Sequence, residues 1–306
     1  MSSRAFKRVA VLHGGFSAER EVSLVSGRDA ATALESAGYD VTVIDVPRDM
    51  QALTSAITDA KPDAIFNALH GRFGEDGCIQ GLLDMMELPY TNSGRLASTL
   101  AMDKTIAKKI FGTAGLPIAE DIIVTRQDAE SRDPMPRPYV VKPINEGSAV
   151  GVHIIRDGDK KVSFDDMGLD IDSSVMVERY IPGREVTVTV MGDKPLAVTE
   201  ITTDRAFYDY DAKYAAGGSA HVLPADLSPA VYNEALDISL KAHQALGCRG
   251  VTRSDLRLDG DDLYLLEINT QPGLTPTSLV PEQAAHIGMS FPDLVSWMVE
   301  NAQCDA

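Results

Sequence analysis

Two strand-like runs, residues 251–258 and 262–268, flank the turn dipeptide Asp259-Gly260, which constrains the segment to a hairpin. This hairpin is not simply apolar. Arg253, Asp255, Glu267 and Asn269 interrupt it, and Gln271-Pro272-Gly273 follows at once. A three-residue loop at 259–261 predicts that Leu258 pairs with Asp262 and that Arg253 lies opposite Glu267. Asp255 then falls diagonal to Glu267, while Glu267 and Asn269 share one face because strand side chains alternate. Three oxygen-bearing side chains converging this way suit a hard divalent cation such as Mg²⁺, which keeps waters and bridges phosphates. A solvated hairpin with a surface ion pair is the simpler reading of any single Asp/Glu pair. Carboxylates set inside apolar strands, beside a Pro-Gly turn able to aim a backbone N–H at a ligand, favour a site.

With 306 residues, 44% of them hydrophobic, the chain can bury two or three cores. A net charge of −17 argues against a nucleic-acid or anionic-membrane partner and otherwise serves solubility. Cys78, Cys248 and Cys304 are scattered and form no C-x-x-C, so neither a disulfide framework nor a zinc site is expected. The early apolar run 9–12 is too short for a signal-peptide core, and no other run approaches a membrane span. A soluble protein of a reducing cytoplasm is the expectation.

Along the chain, strand 8–13 leads into Gly14-Gly15-Phe16-Ser17. A helix follows with Val22, Val25, Ala30, Ala33, Leu34 and Ala37 on one face, stopped by Gly38. Strands at 41–46 and 64–69 complete a doubly wound α/β pattern, in which ligands sit at the carboxyl ends of strands. This first domain is expected over 1–100. A small central domain, 101–185, opens with an amphipathic helix from Met102-Asp103-Lys104 to near Gly115. Residues 126–138, with Pro134, Pro136 and Pro138, read as a loop; strands follow at 139–142, 151–155 and 175–180. The last domain, 186–306, holds a strand at 186–191 and a Tyr/Asp-rich loop at about 205–220. Its helix from Ser228-Pro229 to Leu246 has a capping serine, proline in the first turn and Gly247 at its end. Residues 279–300 read as mostly helical.

No Walker-type phosphate loop occurs. His13-Gly14-Gly15 resembles a dinucleotide turn without its spacing. The stronger nucleotide signal is Glu146-Gly147-Ser148-Ala149-Val150-Gly151, a glycine-rich tip between two strands whose backbone N–H groups can fold over phosphates. Lys142, just before it on a strand, is a common type of phosphate partner. Lys104 and Lys213 add candidate charge.

These residues together resemble the D-alanine–D-alanine ligase family of the ATP-grasp superfamily, over essentially the whole chain. His70-Gly71-Arg72-Phe73-Gly74-Glu75-Asp76-Gly77-Cys78-Ile79-Gln80-Gly81 is similar to its first motif. Arg253-x-Asp255 through Glu267-x-Asn269-Thr270-x-Pro272-Gly273 is similar to its second. Residues 14–23, Met102-Asp103-Lys104, Glu146-Gly147-Ser148 and Lys213-Tyr214 occur in the family's order. Ser254 and Arg257 stand where apolar residues are usual, Gln271 where serine is frequent, and Ile144-Asn145 differs from the usual lead into the glycine tip.

The resemblance implies a three-domain ATP-grasp fold with ATP between the central and C-terminal domains. Lys104 and Lys142 are implied at the α- and β-phosphates, Lys213 nearer the γ-phosphate, and Glu146, Gly147 and Ser148 over them. Glu178 and the backbone of Ile181 are implied at adenine, and Glu185 at the ribose. Asp255, Glu267 and Asn269 are implied to hold two Mg²⁺ or Mn²⁺ ions. Glu19 resembles the residue that takes the first D-alanine's ammonium group, where an acid favoured by a helix dipole is the plainer reading. His70 is implied beside that substrate's carboxylate, and Ser278 and Leu279 at the second D-alanine's carboxylate. Glu19, Ser148 and Tyr214 are implied to orient the substrates, with Arg253 and the Gly273 N–H as oxyanion donors and the 205–220 loop as a lid. The other histidines (His13, His153, His221, His243, His286) read as structural.

The implied reaction joins two D-alanines for peptidoglycan precursors, in a cytoplasmic homodimer. Two alternatives are a D-alanine–D-lactate ligase, against which Tyr214 argues, and a catalytically silent nucleotide-binding module, against which the retained lysines and metal ligands argue.

Overall fold

The computed structural model describes residues 5–145, 151–160, 163–164, 170–202, 219–275 and 277–305. It opens with a parallel sheet in the order β2-β1-β3, built from β1 (Arg8–His13), β2 (Asp40–Asp45) and β3 (Ala64–Asn67). Alternation along β1 divides the core. Val9 and Val11 face Ala30 and Leu34 of α1 (Arg20–Ser36). Ala10 and Leu12 face Leu53 and Ile57 of α2 (Met50–Ala60) and Leu83 of α3 (Cys78–Met85). Helices on both faces are the doubly wound arrangement expected from the strand–turn–helix order. Gly38, at φ +91°, ends α1 as anticipated.

Two short helices, α4 (Arg95–Met102) and α5 (Lys104–Thr113), lead out of this unit. The Asp103 carboxylate accepts from the Ile106 N–H and caps α5, an interaction that contributes about 1 kcal/mol. A second, antiparallel sheet has the order β4-β7-β5-β6, from β4 (Asp121–Thr125), β5 (Tyr139–Pro143), β6 (His153–Ile155) and β7 (Ser174–Arg179). The expected loop at 126–138 is partly helical instead: α6 (Arg126–Ser131) begins at once after β4, where the Thr125 hydroxyl accepts from Asp128 N–H. The prolines dominate the composition there, but they all lie beyond the helix.

The third sheet is antiparallel, in the order β10-β9-β8-β11-β12. Its strands are β8 (Arg184–Met191), β9 (Lys194–Thr202), β10 (Ala220–Val222), β11 (Val251–Asp259) and β12 (Asp262–Asn269). One face carries Val186, Val188, Leu256, Leu258, Leu263, Leu265 and Ile268 against α5 and α7 (Pro229–Ala245). Ser228 caps α7 through the Val231 N–H, and Gly247 at φ +69° follows its end. Residues 279–300 form two helices, α8 (Leu279–His286) and α9 (Phe291–Glu300), rather than one. Gly288 at φ +85° breaks the run, and Ser290 accepts from Asp293 N–H to restart it. Leu294, Val295 and Met298 of α9 pack with Val9, Val11 and Phe66, so the end of the chain helps cover the first sheet.

Candidate active site

The site face of the third sheet lies opposite its apolar face, and the β11–β12 register sets it. The register differs from the expected one. Asp259 pairs with Asp262, leaving a two-residue loop with Gly260 at φ +62°. Leu256 pairs with Leu265, but Asp255 pairs with Glu267, so Leu266 is an extra residue, a β-bulge. That bulge reverses the alternation. Leu263 and Leu265 face the core before it and Ile268 after it, which turns Glu267 and Asn269 to the opposite face. Asp255 therefore lies directly opposite Glu267 and Arg253 directly opposite Asn269, rather than Arg253 opposite Glu267.

Asp255 is the hub of this face. Arg253 binds it through Nε–Oδ1 at 2.8 Å and Nη2–Oδ2 at 2.7 Å. Thr187 Oγ1 donates to Oδ1 at 2.8 Å and Asn269 Nδ2 to Oδ2 at 3.1 Å. Lys104 Nζ lies 3.9 Å from Glu267 Oε2. Among the described residues no three His, Cys, Asp or Glu side chains gather as a metal group. The donors on offer are two facing carboxylates and one amide oxygen, a hard set that fits Mg²⁺ or Mn²⁺ completed by phosphate and water.

Beside the hairpin lies a buried charge cluster. Glu178 on β7 accepts from Lys108 Nζ at 2.6 Å and from Lys142 Nζ at 3.2 Å, and Lys108 also reaches Asp121 at 3.0 Å. Burial alone would raise the Glu178 carboxyl, but Lys142 and Lys108 outweigh it and hold it below the usual carboxylate range. Lys142 and Glu178, expected on phosphate and adenine respectively, are thus partners in this structure. From Glu178 the chain runs through Ile181, buried, to Glu185, whose carboxylate faces Arg257 at 3.3 Å.

The first sheet contributes the other wall. Gly14 and Gly15, at φ +72° and +70°, turn the chain closely past the Arg20–Asp45 ion pair; a Cβ on Gly14 would collide with Asp45. Ser17 Oγ donates to His70 O at 2.6 Å and accepts from Glu19 N–H at 3.2 Å. Glu19 makes no capping bond to α1. Its carboxylate turns toward Gly71, where a Cβ would stand 2.7 Å from Oε2. His70 is buried, which lowers its pKa against the pull of the Glu19 charge and the Gln271 backbone, so the ring is neutral at pH 7. His70 Nε2 lies 3.3 Å from Ser26 Oγ.

The loop after β12 is tied to this wall. Gln271 Nε2 donates to Asn67 O at 2.6 Å, and its Oε1 accepts from Asn92 and Asn67. Ser278 Oγ accepts from Thr275 N–H at 3.1 Å and would meet a Cβ on Gly273 at 2.9 Å. Ser278 makes no side-chain cap to α8. With Leu279 as the first residue of that helix, free N–H groups there suit a carboxylate.

Of the residues singled out in the sequence, the structure gathers Arg253, Asp255, Glu267 and Asn269 on one sheet face, with Lys104 at the start of α5 reaching within 3.9 Å of Glu267. Glu19, His70, Gly273 and Ser278 lie on the adjoining loops, Leu279 opens α8 beside them, and Lys142, Glu178, Ile181 and Glu185 lie at the junction of the second and third sheets. Glu146, Gly147, Ser148, Lys213 and Tyr214, and nearly all of the 205–220 loop, lie outside the described residues. Two participants were not singled out. Glu75 lines the same small cleft as Lys104, Glu267 and Asn269, and burial, then the Glu19 charge, raises its pKa to about 8. Its position in a glycine-rich turn after a strand's carboxyl end was the available signal. Lys108 carried no such signal, because a lysine on an amphipathic helix reads as solvated.

Comparison with known proteins accounts for this arrangement. A family model described as D-ala D-ala ligase C-terminus matches residues 110–300, and one described as D-ala D-ala ligase N-terminus matches residues 47–93. The chain belongs to the D-alanine–D-alanine ligase family. A D-alanine–D-alanine ligase of Rhodospirillum rubrum is 60% identical over 98% of this chain and 99% of its own length. One of Acidiphilium cryptum is 59% identical over 97% and 99%. A crystal structure of the Bacillus anthracis D-alanine–D-alanine ligase complexed with ATP superposes with a TM-score of 0.83 at 30% identity, covering 96% of each chain. As a member of this family the chain is a ligase, and the expected α/β ATP-grasp architecture is borne out.

Proposed function

We propose that the protein joins two D-alanine molecules into D-alanyl-D-alanine, coupled to ATP cleavage to ADP and phosphate, in the cytoplasmic supply of peptidoglycan precursors. The observation that carries this reading is the Arg253–Asp255–Glu267–Asn269 face, held beside the Gly273 turn and opposite His70 and Glu19. No helix among the described residues is long and apolar enough to cross a membrane. The expected domains, 1–100, 101–185 and 186–306, then supply the first amino acid's site, the nucleotide's cover, and the metal and second amino-acid site. A homodimer is the assembly this reading expects.

The chemistry begins with the first D-alanine, its ammonium group at the Glu19 carboxylate and its carboxylate near neutral His70. That carboxylate takes the γ-phosphoryl of ATP, giving an acyl phosphate and ADP. Asp255, Glu267 and Asn269 would hold the divalent ions, which supply positive charge to the phosphates. Lys104, Lys142 and Lys213 add to that charge, and Glu146, Gly147 and Ser148 close over it; phosphoryl transfer asks little more of a protein than positioning and charge. The second D-alanine, its carboxylate at Ser278 and the α8 start, attacks the acyl carbon with its amine. Arg253 and the Gly273 N–H stabilise the resulting oxyanion, about 3 kcal/mol for one such donor, and phosphate leaves. Glu19, Ser148 and Tyr214 orient the pair while the 205–220 loop excludes water from the acyl phosphate.

The test is D-alanine-dependent phosphate release from ATP, compared with Glu267→Gln. Release in the parent and its loss in the variant support the reading. ATP turnover indifferent to D-alanine, or none at all, would point to the silent nucleotide-binding module.

A further inference from the structure

Arg257 departs from the family's usual apolar residue, and the structure gives it defined partners. It sits on β11 directly opposite Glu185 on β8. Its guanidinium donates from Nη1 to Glu185 Oε2 at 3.3 Å, from Nε to Ile181 O at 3.2 Å, and from Nη2 to Gly183 O at 2.8 Å. Its Cζ lies over the Tyr180 ring, 5.9 Å from the centroid. Ile181 and Gly183 belong to the short connection that carries the chain from the second sheet into the third, and Glu185 is the second residue of β8 after it. Gly183 is forced there by close approach: at φ +90°, a Cβ on it would lie 2.1 Å from Leu258 O. A single planar fork therefore fixes two carbonyls and one carboxylate of a five-residue strap, and its side chain is only 15% exposed.

We propose that Arg257 is a positioning residue for the nucleoside end of the ATP site, acting on the strap 181–185 and not on the reacting atoms. This rests on the reading of the Ile181 backbone as an adenine contact and Glu185 as a ribose contact. Holding the Ile181 and Gly183 carbonyls fixes the strap's backbone, and the contact to Glu185 Oε2 sets the direction of that carboxylate. An arginine does this where a lysine cannot, because three acceptors at three directions require a rigid multi-donor plane.

The test compares Arg257→Met, which restores the apolar character usual at this position, with Arg257→Lys and Glu185→Gln in the full chain. Steady-state kcat and KM are measured for ATP, for 2′,3′-dideoxy-ATP and for D-alanine. The proposal expects Arg257→Met to raise KM for ATP about tenfold, with kcat and the D-alanine KM within about twofold. The preference for ATP over the dideoxy analogue should shrink in Arg257→Met and Glu185→Gln alike, with Arg257→Lys intermediate. If Glu185→Gln loses that preference while Arg257→Met keeps it and the ATP KM, Arg257 does not position the strap. If Glu185→Gln keeps the preference, the ribose assignment itself fails and the proposal falls with it. Parallel rises in the ATP and D-alanine KM values would mark general damage and also overturn it. Should Arg257→Met not fold, an Arg257→Lys variant with unchanged ATP KM and ribose preference would do the same.

Discussion

The Arg253 guanidinium occupies both oxygens of Asp255, at 2.8 and 2.7 Å, two residues along the same strand. The expected oxyanion donor and an expected metal ligand are thus one buried ion pair, and a change at either reaches the other. Arg253→Ala should lower turnover at least about a hundredfold while ATP binding survives. It also strands a buried carboxylate, at a cost of about 3 kcal/mol. A divalent cation replaces the missing charge, so Mg²⁺ should raise the variant's unfolding midpoint more than the parent's. Equal Mg²⁺ shifts in calorimetric scans would separate Asp255 from the metal.

Glu75 makes a pH prediction. Its pKa is raised from 4.5 to about 8 by burial and by Glu19, with smaller opposing contributions from the Gly71 N–H and Arg253. Between those values the folded protein keeps a proton that the unfolded chain has released, so this group makes stability fall as pH rises from about 4.5 to 8. Glu75→Gln should flatten that decline in denaturant titrations at pH 5, 6.5 and 8. An unchanged slope would show that Glu75 is ionised in the folded protein.

Gln271 stands where serine is frequent and binds both Asn67 and Asn92. Gln271→Ser cannot span to them, leaving buried amide groups unsatisfied, and should cost roughly 1–3 kcal/mol in chemical denaturation. It should also lower kcat by loosening the loop that carries Gly273. A variant as stable and active as the parent would make the clamp incidental.

Lys108, 3% exposed, neutralises Glu178 and Asp121 together. Lys108→Met keeps the packing volume but removes the charge, and should destabilise the protein by about 3 kcal/mol. With only Lys142 left to hold it, Glu178 should also bind ATP less well. Isothermal titration with ATP and an unfolding curve check both, and a variant unchanged in each would refute the role.

How much of this could be read from the chain alone varies with the kind of information. The parallel sheet and its first helix were legible because Val9–Leu12 is an unbroken apolar run ahead of Gly14-Gly15, and the 22–37 stripe keeps the helical period up to Gly38. The capped α7 was legible from Ser228, Pro229 and Gly247 for the same reason. The hairpin was visible and its register was not: Leu265 and Leu266 are both apolar, so nothing in the pattern marks the bulge that turns Glu267 to the site face. Likewise α6 was hidden by prolines that lie after it. The members of the site came from ordered motifs, but which side chains pair did not. Lys108 joins Glu178 across 70 residues, and no local pattern encodes such a contact.

Incubating the protein with ATP, Mg²⁺ and D-alanine, with D-lactate present in parallel reactions, and weighing the products decides what the Arg253–Asp255–Glu267–Asn269 face makes. D-alanyl-D-alanine should form in step with ADP and phosphate, with no dependence on D-lactate. ADP formation without dipeptide, or a depsipeptide as the main product near neutral pH, would contradict it.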